Sequence, residues 1–303
     1  ENNKNYKSVD GVLFSKDGTH LMNYPANKAS KSYEIPDLVI VIENYSFYNS
    51  RNLNDITIGK NVVDICSCAF NHSFILSIDI PDNVKTIGDY AFTECNKLEE
   101  VTIGSNVNSI ESTSFTPGEN LRKFKVNELN NYYKSIYNVL YTKDEKTIVF
   151  YPADQGTKTF SIPETVTTIP NYTFNSVYLS EITIPKGVTS IGIKAFNDCG
   201  YLRTVILSKE NTHFILLDGI LYTKDLATII LIPKGISGSI SLPNSMLSID
   251  EYMFNRYNFM LSITIPDKIT KIGDYAFKSC TGLSSITFGR GVTTIGEYAF
   301  YGC

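Results

Sequence analysis

The stretch Ile265–Cys280, which reads Ile-Pro-Asp-Lys-Ile-Thr-Lys-Ile-Gly-Asp-Tyr-Ala-Phe-Lys-Ser-Cys, decides the fold because its pattern returns nine times. If Ile265 is position zero, Pro or Gly stands at +1, Ile at +7 and Phe at +12. The position-zero residues are Ile35, Ile58, Ile80, Ile103, Ile162, Ile184, Leu242, Ile265 and Phe288. The +12 residues are Phe47, Phe70, Phe92, Phe115, Phe174, Phe196, Phe254, Phe277 and Phe300. A fixed period of 22–23 residues predicts one supersecondary unit stacked on itself, a solenoid.

Length, charge and hydropathy restrict the class of protein. The chain has 303 residues and a net charge of −4, whereas proteins that bind nucleic acid or anionic membranes present basic patches. No apolar run reaches the roughly 20 residues of a membrane-spanning helix, and the polar start Glu1–Asn5 is not a secretory signal. We predict a single solenoid over residues 1–303. Because no polar closing unit follows the last repeat, we expect a fragment of a longer chain.

One repeat is predicted to form one coil with a short strand on one side. Leu98–Gly104 alternates apolar and polar residues, as a strand with one buried face does. The Pro or Gly at +1 ends the strand, and apolar residues at +4 and +7 form a second inward edge. The segment Gly88–Cys95 has the length of a short helical turn. We therefore predict a curved, β-dominated solenoid with a parallel sheet on the concave side and short helical turns on the convex side.

Three inserted modules, near residues 5–34, 131–161 and 211–241, interrupt the repeat. The Phe spacing rises to 59 residues between Phe115 and Phe174, and to 58 between Phe196 and Phe254. In each module two apolar runs flank a Lys-Asp pair, which predicts a β-hairpin with that pair at its tip. The pairs are Lys16-Asp17, Lys143-Asp144 and Lys224-Asp225. The modules either alter the geometry of the solenoid or present their tips for recognition.

The repeat resembles a known family. Leu98-x-x-Val101-x-Ile103, followed by Val107-x-x-Ile110 and Ala-Phe-x-x-Cys, is similar to the BspA-type leucine-rich repeat of bacterial and protozoal surface proteins. The resemblance covers nearly the whole chain. It implies a right-handed leucine-rich-repeat solenoid of the α/β horseshoe type. It also implies a secreted or cell-surface location and a role in binding, often attachment to host proteins, and it supplies no catalytic residues.

The sequence contains no motif that carries catalysis. P-loop, zinc-protease, nucleophile-elbow and complete EF-hand patterns are absent. His20, His72 and His213 fall at unrelated repeat positions, so we expect them at the surface. Four cysteines share one repeat position with Ser and Val, which predicts a small buried site and free thiols. These are Cys95, Cys199, Cys280 and Cys303. We predict a protein that is not an enzyme and needs no cofactor or metal.

The outward strand positions −3 and −1 form the first candidate binding surface. Small hydroxylated residues dominate both columns, and Thr favours sheet structure without any ligand. The first four coils add carboxylates at Glu34, Asp55, Asp79 and Glu100. Two interpretations remain open here: a plain solvated strand face, or an acidic patch suited to a basic partner or a weakly held cation.

Tyrosine at position +10 forms the second candidate surface. The chain has 20 Tyr and no Trp. Six of the Tyr stand at +10: Tyr45, Tyr90, Tyr172, Tyr252, Tyr275 and Tyr298. Cys68, Thr113 and Lys194 replace them elsewhere, which favours a partly exposed position on the convex side. The column either covers the Phe column or binds protein or sugar through its polar tips, and Tyr90, Tyr275 and Tyr298 are the candidate residues.

Together these features predict a non-catalytic extracellular or cell-surface module that binds a host or neighbouring-cell surface or matrix protein, in adhesion. The alternative is a passive stalk that presents other domains. A contiguous exposed aromatic patch favours recognition, whereas a uniform skin of Thr, Ser, Lys and Glu favours the stalk.

Overall fold

The computed structural model describes residues 3–116 and 118–303, and every regular element within those ranges is a β-strand. Contacts between Cα atoms divide the chain into two compact units. Unit 1 comprises Glu1–Thr157, Thr165–Tyr178 and Lys194–Asp198, and unit 2 comprises Lys158–Glu164, Leu179–Ile193 and Cys199–Cys303.

The strand before position +1 of each coil pairs in parallel with its neighbours, in four separate sheets of two or three strands that are called here together the strand face. Its strands are β4 (Ser32–Glu34), β6 (Asp55–Thr57), β8 (Ser77–Asp79), β10 (Glu100–Ile103), β12 (Lys123–Val126), β16 (Thr159–Ser161), β18 (Glu181–Ile184), β20 (Thr204–Leu207), β24 (Gly238–Ser241), β26 (Met260–Thr264) and β28 (Ser285–Thr287). The register pairs equivalent positions of neighbouring coils: Val101 pairs with Ile78 on one side and Phe124 on the other. Because side chains alternate along a strand, these apolar columns are buried and the −3 and −1 columns face solvent.

Two-residue strands at +6 and +7 pair in parallel in three further sheets, called here together the short ladder. They are β5 (Val41–Ile42), β7 (Asp64–Ile65), β9 (Thr86–Ile87), β11 (Ser109–Ile110), β17 (Thr168–Ile169), β19 (Ser190–Ile191), β25 (Ser248–Ile249), β27 (Lys271–Ile272) and β29 (Thr294–Ile295). Ile at +7 pairs with the same Ile of the next coil, as Ile65 does with Ile87. The Ile at +7 is therefore invariant because it lies at the inward end of this ladder.

The Phe at +12 forms the predicted interior column, and this prediction is confirmed. In unit 1 the rings of Phe47, Phe70, Phe92 and Phe115 stack at 4.8–5.1 Å between centroids. In unit 2 the Phe254–Phe277 and Phe277–Phe300 pairs lie 5.1 and 5.2 Å apart and within 5° of parallel. Phe70, Phe254 and Phe277 have no exposed surface. Such burial is the main source of stability in a stack of thin coils.

The short helical turns predicted on the convex side are not observed, and that part of the prediction is wrong. Residues at +10 and +14 adopt left-handed backbone conformations, as Tyr90 (φ 57°) and Glu94 (φ 58°) show. A left-handed residue every fourth position cannot continue a right-handed helix. Successive amides donate in two different directions instead. Phe92 N donates to Ser114 O of the next coil, while Thr93 N donates to Tyr90 O of its own turn. The segment is a run of tight turns joined coil to coil.

Pro and Gly at +1 occur in a related order because neighbouring coils approach closely there. In three adjacent pairs the first coil carries Pro and the next carries Gly, as in Pro81 and Gly104. A Cβ on Gly104 would lie 2.5 Å from the carbonyl oxygen of Pro81. The second coil of these three pairs therefore has no room for a Cβ at +1, whereas the adjacent pairs Pro163/Pro185 and Pro243/Pro266 accept proline in both coils.

The three inserted modules are three-stranded antiparallel meanders, one strand longer than the predicted hairpins. Their strands are β1 (Tyr6–Val9), β2 (Val12–Ser15), β3 (His20–Asn23), β13 (Tyr133–Ile136), β14 (Val139–Thr142), β15 (Ile148–Phe150), β21 (Phe214–Leu217), β22 (Ile220–Thr223) and β23 (Ile229–Leu231). The first turn has two left-handed residues, such as Asp10 and Gly11, which matches the type I′ turn of tight hairpins. In the first module β3 pairs with β5, so the meander lengthens the short ladder.

A buried asparagine fixes the start of the second and third modules. Asn130 Nδ2 donates to the carbonyl oxygens of Gly104 and Val107, at 2.8 and 3.0 Å. Its Oδ1 accepts the amides of Tyr132 and Tyr133, both at 2.8 Å. Asn211 makes the same four bonds in unit 2. With all its polar atoms bonded, this buried amide clamps the preceding coil to the first strand of the meander.

The cysteine position is small and buried, as predicted, except at Cys303. Cys95 Sγ donates to Phe70 O at 3.1 Å, and Cys280 Sγ to Phe254 O at 2.9 Å. Burial raises the pKa of the Cys95 thiol to about 12. The six cysteines are free thiols, and Cys303 is exposed.

Candidate recognition surface

The tyrosines at +10 are held at the surface by the backbone of the turn. Tyr252, Tyr275 and Tyr298 all have left-handed φ values, of 58°, 55° and 53°. The amide of Tyr252 donates to Asp274 O at 3.1 Å, and the amide of Tyr275 donates to Glu297 O at 2.9 Å. Because the same bond repeats from coil to coil, the Cα–Cβ bonds leave the turns in parallel. The predicted partial exposure is confirmed for Tyr252 and Tyr298, which are 45% and 58% exposed, but not for Cys68 and Thr113, which are buried at the same position.

In unit 2 three consecutive rings form a continuous stack, called here the tyrosine ladder. The centroids of Tyr252 and Tyr275 are 4.9 Å apart with planes 1° from parallel, and those of Tyr275 and Tyr298 are 5.3 Å apart at 10°. The exposed ring of Tyr301 meets Tyr298 edge-on at 5.8 Å. The rings therefore contact one another at the surface, forming a second aromatic file outside the Phe column.

The charges around the ladder are arranged by the repeat. An acidic residue precedes each ladder tyrosine: Glu251, Asp274 and Glu297. Asp274 Oδ1 accepts the amide of Glu297 at 2.8 Å, so its carboxylate holds the turn of the next coil. The Lys278 ammonium lies 5.0 Å from the Tyr275 ring centroid. Desolvation, and then the neighbouring Tyr252 and Tyr298, raise the pKa of Tyr275, so its phenol is neutral near neutral pH.

Tyr90, the third tyrosine singled out from the sequence, lies in unit 1 and stands alone. It is 44% exposed, close to the value for Tyr252. Its +10 neighbours are Cys68 and Thr113, and the Thr113 hydroxyl meets the Tyr90 amide at 3.3 Å. In the described part of the chain, no aromatic ring stacks on Tyr90. Tyr275 and Tyr298 thus belong to one surface, and Tyr90 does not.

The four carboxylates of the strand face lie on β4, β6, β8 and β10. Glu34, Asp55 and Asp79 are exposed, and no ion pair to them is found among the described residues. Glu100 is half-buried and bonds Lys123 Nζ at 2.6 Å as well as Lys125 Nζ. These two hydrogen bonds lower the pKa of Glu100. The column therefore changes from acidic to basic between β10 and β12.

Lys123 and Lys125 were missed by the sequence interpretation because β12 lacks the Ile-(Pro/Gly) signature. Its coil continues into a module, and Val126-Asn127 stands where the signature would be. A signal was nevertheless present: Phe124 and Val126 follow Val101 and Ile103 at one 23-residue period. The alternation at that spacing is sufficient to place both lysines on the outward positions.

The Lys-Asp pairs of the modules lie in the second turn of each meander, where the aspartate is structural. Asp144 Oδ1 accepts the Thr142 hydroxyl at 2.7 Å and the Lys146 amide at 3.1 Å. Asp225 makes the equivalent bonds with Thr223 and Ala227. Both hydrogen bonds lower the pKa of each carboxyl, the hydroxyl bond most. A side chain used in this way defines the turn.

An open surface hollow, about 420 Å³ in volume, includes Lys60, Asp82 and Asn127 in its lining. Asp82 Oδ1 already accepts the Ser105 amide and Asn127 Nδ2, and Lys60 pairs with Asp37 at 2.7 Å. Within residues 3–116 and 118–303, no three His, Cys, Asp or Glu side chains are grouped so as to hold a metal ion. Among the same residues, no helix suited to crossing a bilayer is found.

The fold and its exposed aromatic surface define a leucine-rich-repeat solenoid. The profile of the BspA type leucine rich repeat region matches six copies in this chain, over residues 24–142, 147–237 and 234–303. The chain belongs to the BspA-type leucine-rich repeat family. No protein of curated function matches it in sequence.

Solved structures share this fold at low sequence identity. The chain is similar to a leucine-rich repeat protein from Eubacterium ventriosum, with 22% identity and a TM-score of 0.67 over 99% of this chain and 93% of the other. It is similar to a leucine rich cell surface protein from Faecalibacterium prausnitzii, with 22% identity and a TM-score of 0.53 over 94% and 86%. It is also similar to the pneumococcal vaccine antigen PcpA, with 19% identity and a TM-score of 0.53 over 97% and 74%. These likenesses concern the fold.

Proposed function

We propose that the chain is a protein-binding module of a secreted or cell-surface protein, and that the tyrosine ladder of unit 2 is its recognition surface. Its partner is a surface or matrix protein of a host or a neighbouring cell, and its role is adhesion. Membership of the BspA-type family supports a binding role. The description of one similar structure as a cell surface protein supports the location.

The observation that carries the proposal is the contiguous surface stack of Tyr252, Tyr275, Tyr298 and Tyr301, in which all but the half-buried Tyr275 are exposed. Tyrosine is enriched among the residues that dominate binding energy at protein interfaces. Its ring supplies apolar area and its hydroxyl supplies a hydrogen bond. Rings already stacked on their neighbours have little side-chain entropy left to lose on binding.

The ladder geometry favours protein over sugar as the ligand. A pyranose packs on the flat face of a ring, but both faces of Tyr275 are covered by Tyr252 and Tyr298. What remains exposed is a row of ring edges and hydroxyl groups about 5 Å apart, set between the acidic and basic side chains of the turns. That mixture of apolar and hydrogen-bonding groups suits a folded protein surface.

Binding of the full chain to a panel of extracellular-matrix and plasma proteins, measured by biolayer interferometry, tests the proposal. Tyr275→Ser should weaken binding to any partner found by about tenfold or more, because a hot-spot residue contributes more than about 1.4 kcal/mol. Tyr90→Ser, at a more exposed and unstacked position, should leave the affinity unchanged.

Two outcomes contradict the proposal. Affinity that survives Tyr275→Ser but is lost when Asp55 and Asp79 become Lys would move the site to the strand face. A folded chain that binds nothing in the panel would favour the passive stalk, for which the Ser and Thr columns of β24, β26 and β28 provide an unremarkable solvated skin.

A further inference from the structure

The three phenols of the tyrosine ladder are held in contact by separate coils. Tyr252, Tyr275 and Tyr298 are successive members of one repeat column, 23 residues apart along the chain. Their turns are locked by cross-coil backbone bonds, so the rings meet without any rearrangement of the fold. This arrangement favours the coupling of two tyrosyl radicals, because rings already in contact can react with each other before either meets a radical on another molecule.

We infer that Tyr275 is a site of oxidative cross-linking, at which it couples to Tyr252 or Tyr298 to form dityrosine. The co-reactant is a one-electron oxidant of the peroxidase type, with hydrogen peroxide as the electron acceptor. The modification is independent of whether the ladder binds a protein partner.

Formation of dityrosine is a two-electron oxidation of two phenols. The oxidant removes one electron from each of two neighbouring tyrosines, and each phenol releases its hydroxyl proton. The two phenoxyl radicals then pair their unpaired electrons in a bond between ortho ring carbons. The hydrogens on those two carbons leave as protons, and each oxygen regains one, which restores both phenols. Two electrons and two protons pass in total to hydrogen peroxide, which becomes two molecules of water.

Stacked geometry favours the bond-forming step. The unpaired electron of a phenoxyl radical lies in π orbitals that project from the ring face, and the Tyr252 and Tyr275 rings lie face to face, 4.9 Å apart and 1° from parallel. Groups held in this way react as if at very high local concentration, so coupling within the ladder is faster than coupling between molecules. Tyr252 and Tyr298 are exposed, which gives a protein-sized oxidant access to the ladder at both ends.

Several other tyrosines among the described residues lack one of these conditions. Tyr90 is exposed but has no tyrosine ring on it. Tyr45 meets Tyr48 edge-on, at 77° between planes, and Tyr301 meets Tyr298 at 80°. Tyr141 and Tyr222 are buried. The geometry therefore assigns the modification to the ladder and places Tyr275, which has a partner on each side, at its centre.

The consequence would be a covalent bond between adjacent coils. A Tyr252–Tyr275 bond closes a loop of one repeat and restricts the unfolded chain, as a disulfide does. The six free thiols form no such link. Oxidation would thus fasten the turn side of unit 2 without any change in its backbone.

Tryptic mapping tests the inference directly, because each ladder tyrosine falls on its own peptide. Tyr252 lies on residues 235–256, Tyr275 on 272–278 and Tyr298 on 291–303. The full chain is treated with peroxidase and hydrogen peroxide, and the monomer is isolated under denaturing conditions, digested and analysed by mass spectrometry. The expected product joins 272–278 to 235–256 or to 291–303, with the loss of two hydrogen atoms and the fluorescence of dityrosine.

Matched variants make the result decisive. Tyr275→Phe keeps the stacked ring but has no phenol, and it should lower the dityrosine yield of the monomer by about tenfold or more. Tyr90→Phe should leave the yield unchanged. Circular dichroism confirms that both variants are folded. The inference is overturned by equal yields in the two variants, by cross-links found in dimers alone, by bonds that map outside the ladder, or by no dityrosine at all.

Discussion

The +10 column differs between the two units although the backbone beneath its tyrosines has the same left-handed conformation. Tyr45, Cys68 and Tyr90 in unit 1 have φ values of 57–59°, and the three ladder residues of unit 2 have 53–58°. In unit 1 the side chains alternate, so the rings never meet; in unit 2 three tyrosines follow one another and stack. The repeat therefore provides the position, and the residues that vary within the repeat provide the surface.

The largest expected effect concerns what the two regions share. Phe277→Ala should destabilise the chain by about 3–5 kcal/mol, since it opens a cavity between the stacked rings of Phe254 and Phe300. Phe70→Ala should cost a similar amount in unit 1. Phe259→Ala, at a ring that is 62% exposed, is the control and should cost far less. Denaturant unfolding measures all three, and equal losses would contradict the interior column.

A second substitution separates the two regions. Tyr275→Ala removes two ring contacts and should lower the melting temperature by about 1–2 °C, as expected for about 1 kcal/mol in a chain of this size. Tyr90→Ala removes an unstacked ring and should change the melting temperature by less than half as much. Thermal unfolding followed by circular dichroism provides the measurement. An equal change at the two positions would mean that stacking adds nothing.

The difference can also be removed by design. Cys68→Tyr would place a ring between Tyr45 and Tyr90 in a turn that already has the left-handed conformation. We expect a continuous unit 1 stack and a rise in melting temperature of about 1–3 °C from the two new contacts. Cys68→Phe, which tests stacking without the hydroxyl, should behave alike, whereas Cys68→Ser should not raise stability. A fall with both aromatic residues would show that the turn cannot accept a ring there.

The smallest expected effect lies on the strand face. The Lys123 and Lys125 ammonium groups lower the folded-state pKa of Glu100, so the pair stabilises the fold above the unfolded pKa of about 4.3. That contribution is lost as the pH falls through the lowered folded value. Glu100→Gln should therefore cost less than about 1 kcal/mol at pH 7, since the group is partly solvated. The difference from wild type should vanish in acid, and urea unfolding at both pH values would reveal a constant difference if the pairing were irrelevant.

The period of the sequence was sufficient for the strands, the +7 Ile and the Phe column, because burial requires apolar residues at fixed positions. It misled at Gly88–Cys95, whose residues allow a helix. Tyr and Glu have no intrinsic preference for φ above zero, so the residue types at Tyr90 and Glu94 do not predict the left-handed turn. The turn exists because the next coil offers carbonyl oxygens to its amides, and that is a tertiary effect.

The candidate surface was only half visible in advance. The spacing of Tyr252, Tyr275 and Tyr298 placed them in one column, but ring contact depends on how far adjacent coils turn relative to each other, which no local pattern encodes. The strand face shows the reverse case. Glu100 was identified as a free acid of a patch, and the structure pairs it with lysines from a coil whose signature had been lost.

Because Asn130 and Asn211 make equivalent bonds, the second and third meanders start from the same backbone arrangement. Each clamp fixes the chain at the point where it departs from the coil, so whatever follows begins from a defined position. At the tip the Tyr137 side chain is 89% exposed, while the carbonyls of Tyr137 and Asn138 accept bonds from Gln155 and Phe124. A foreign epitope or an affinity tag grafted there would be displayed on a rigid base, because surface loops tolerate added length at small entropic cost. The solenoid could in this way display a grafted segment whose sequence is unrelated to its own repeats.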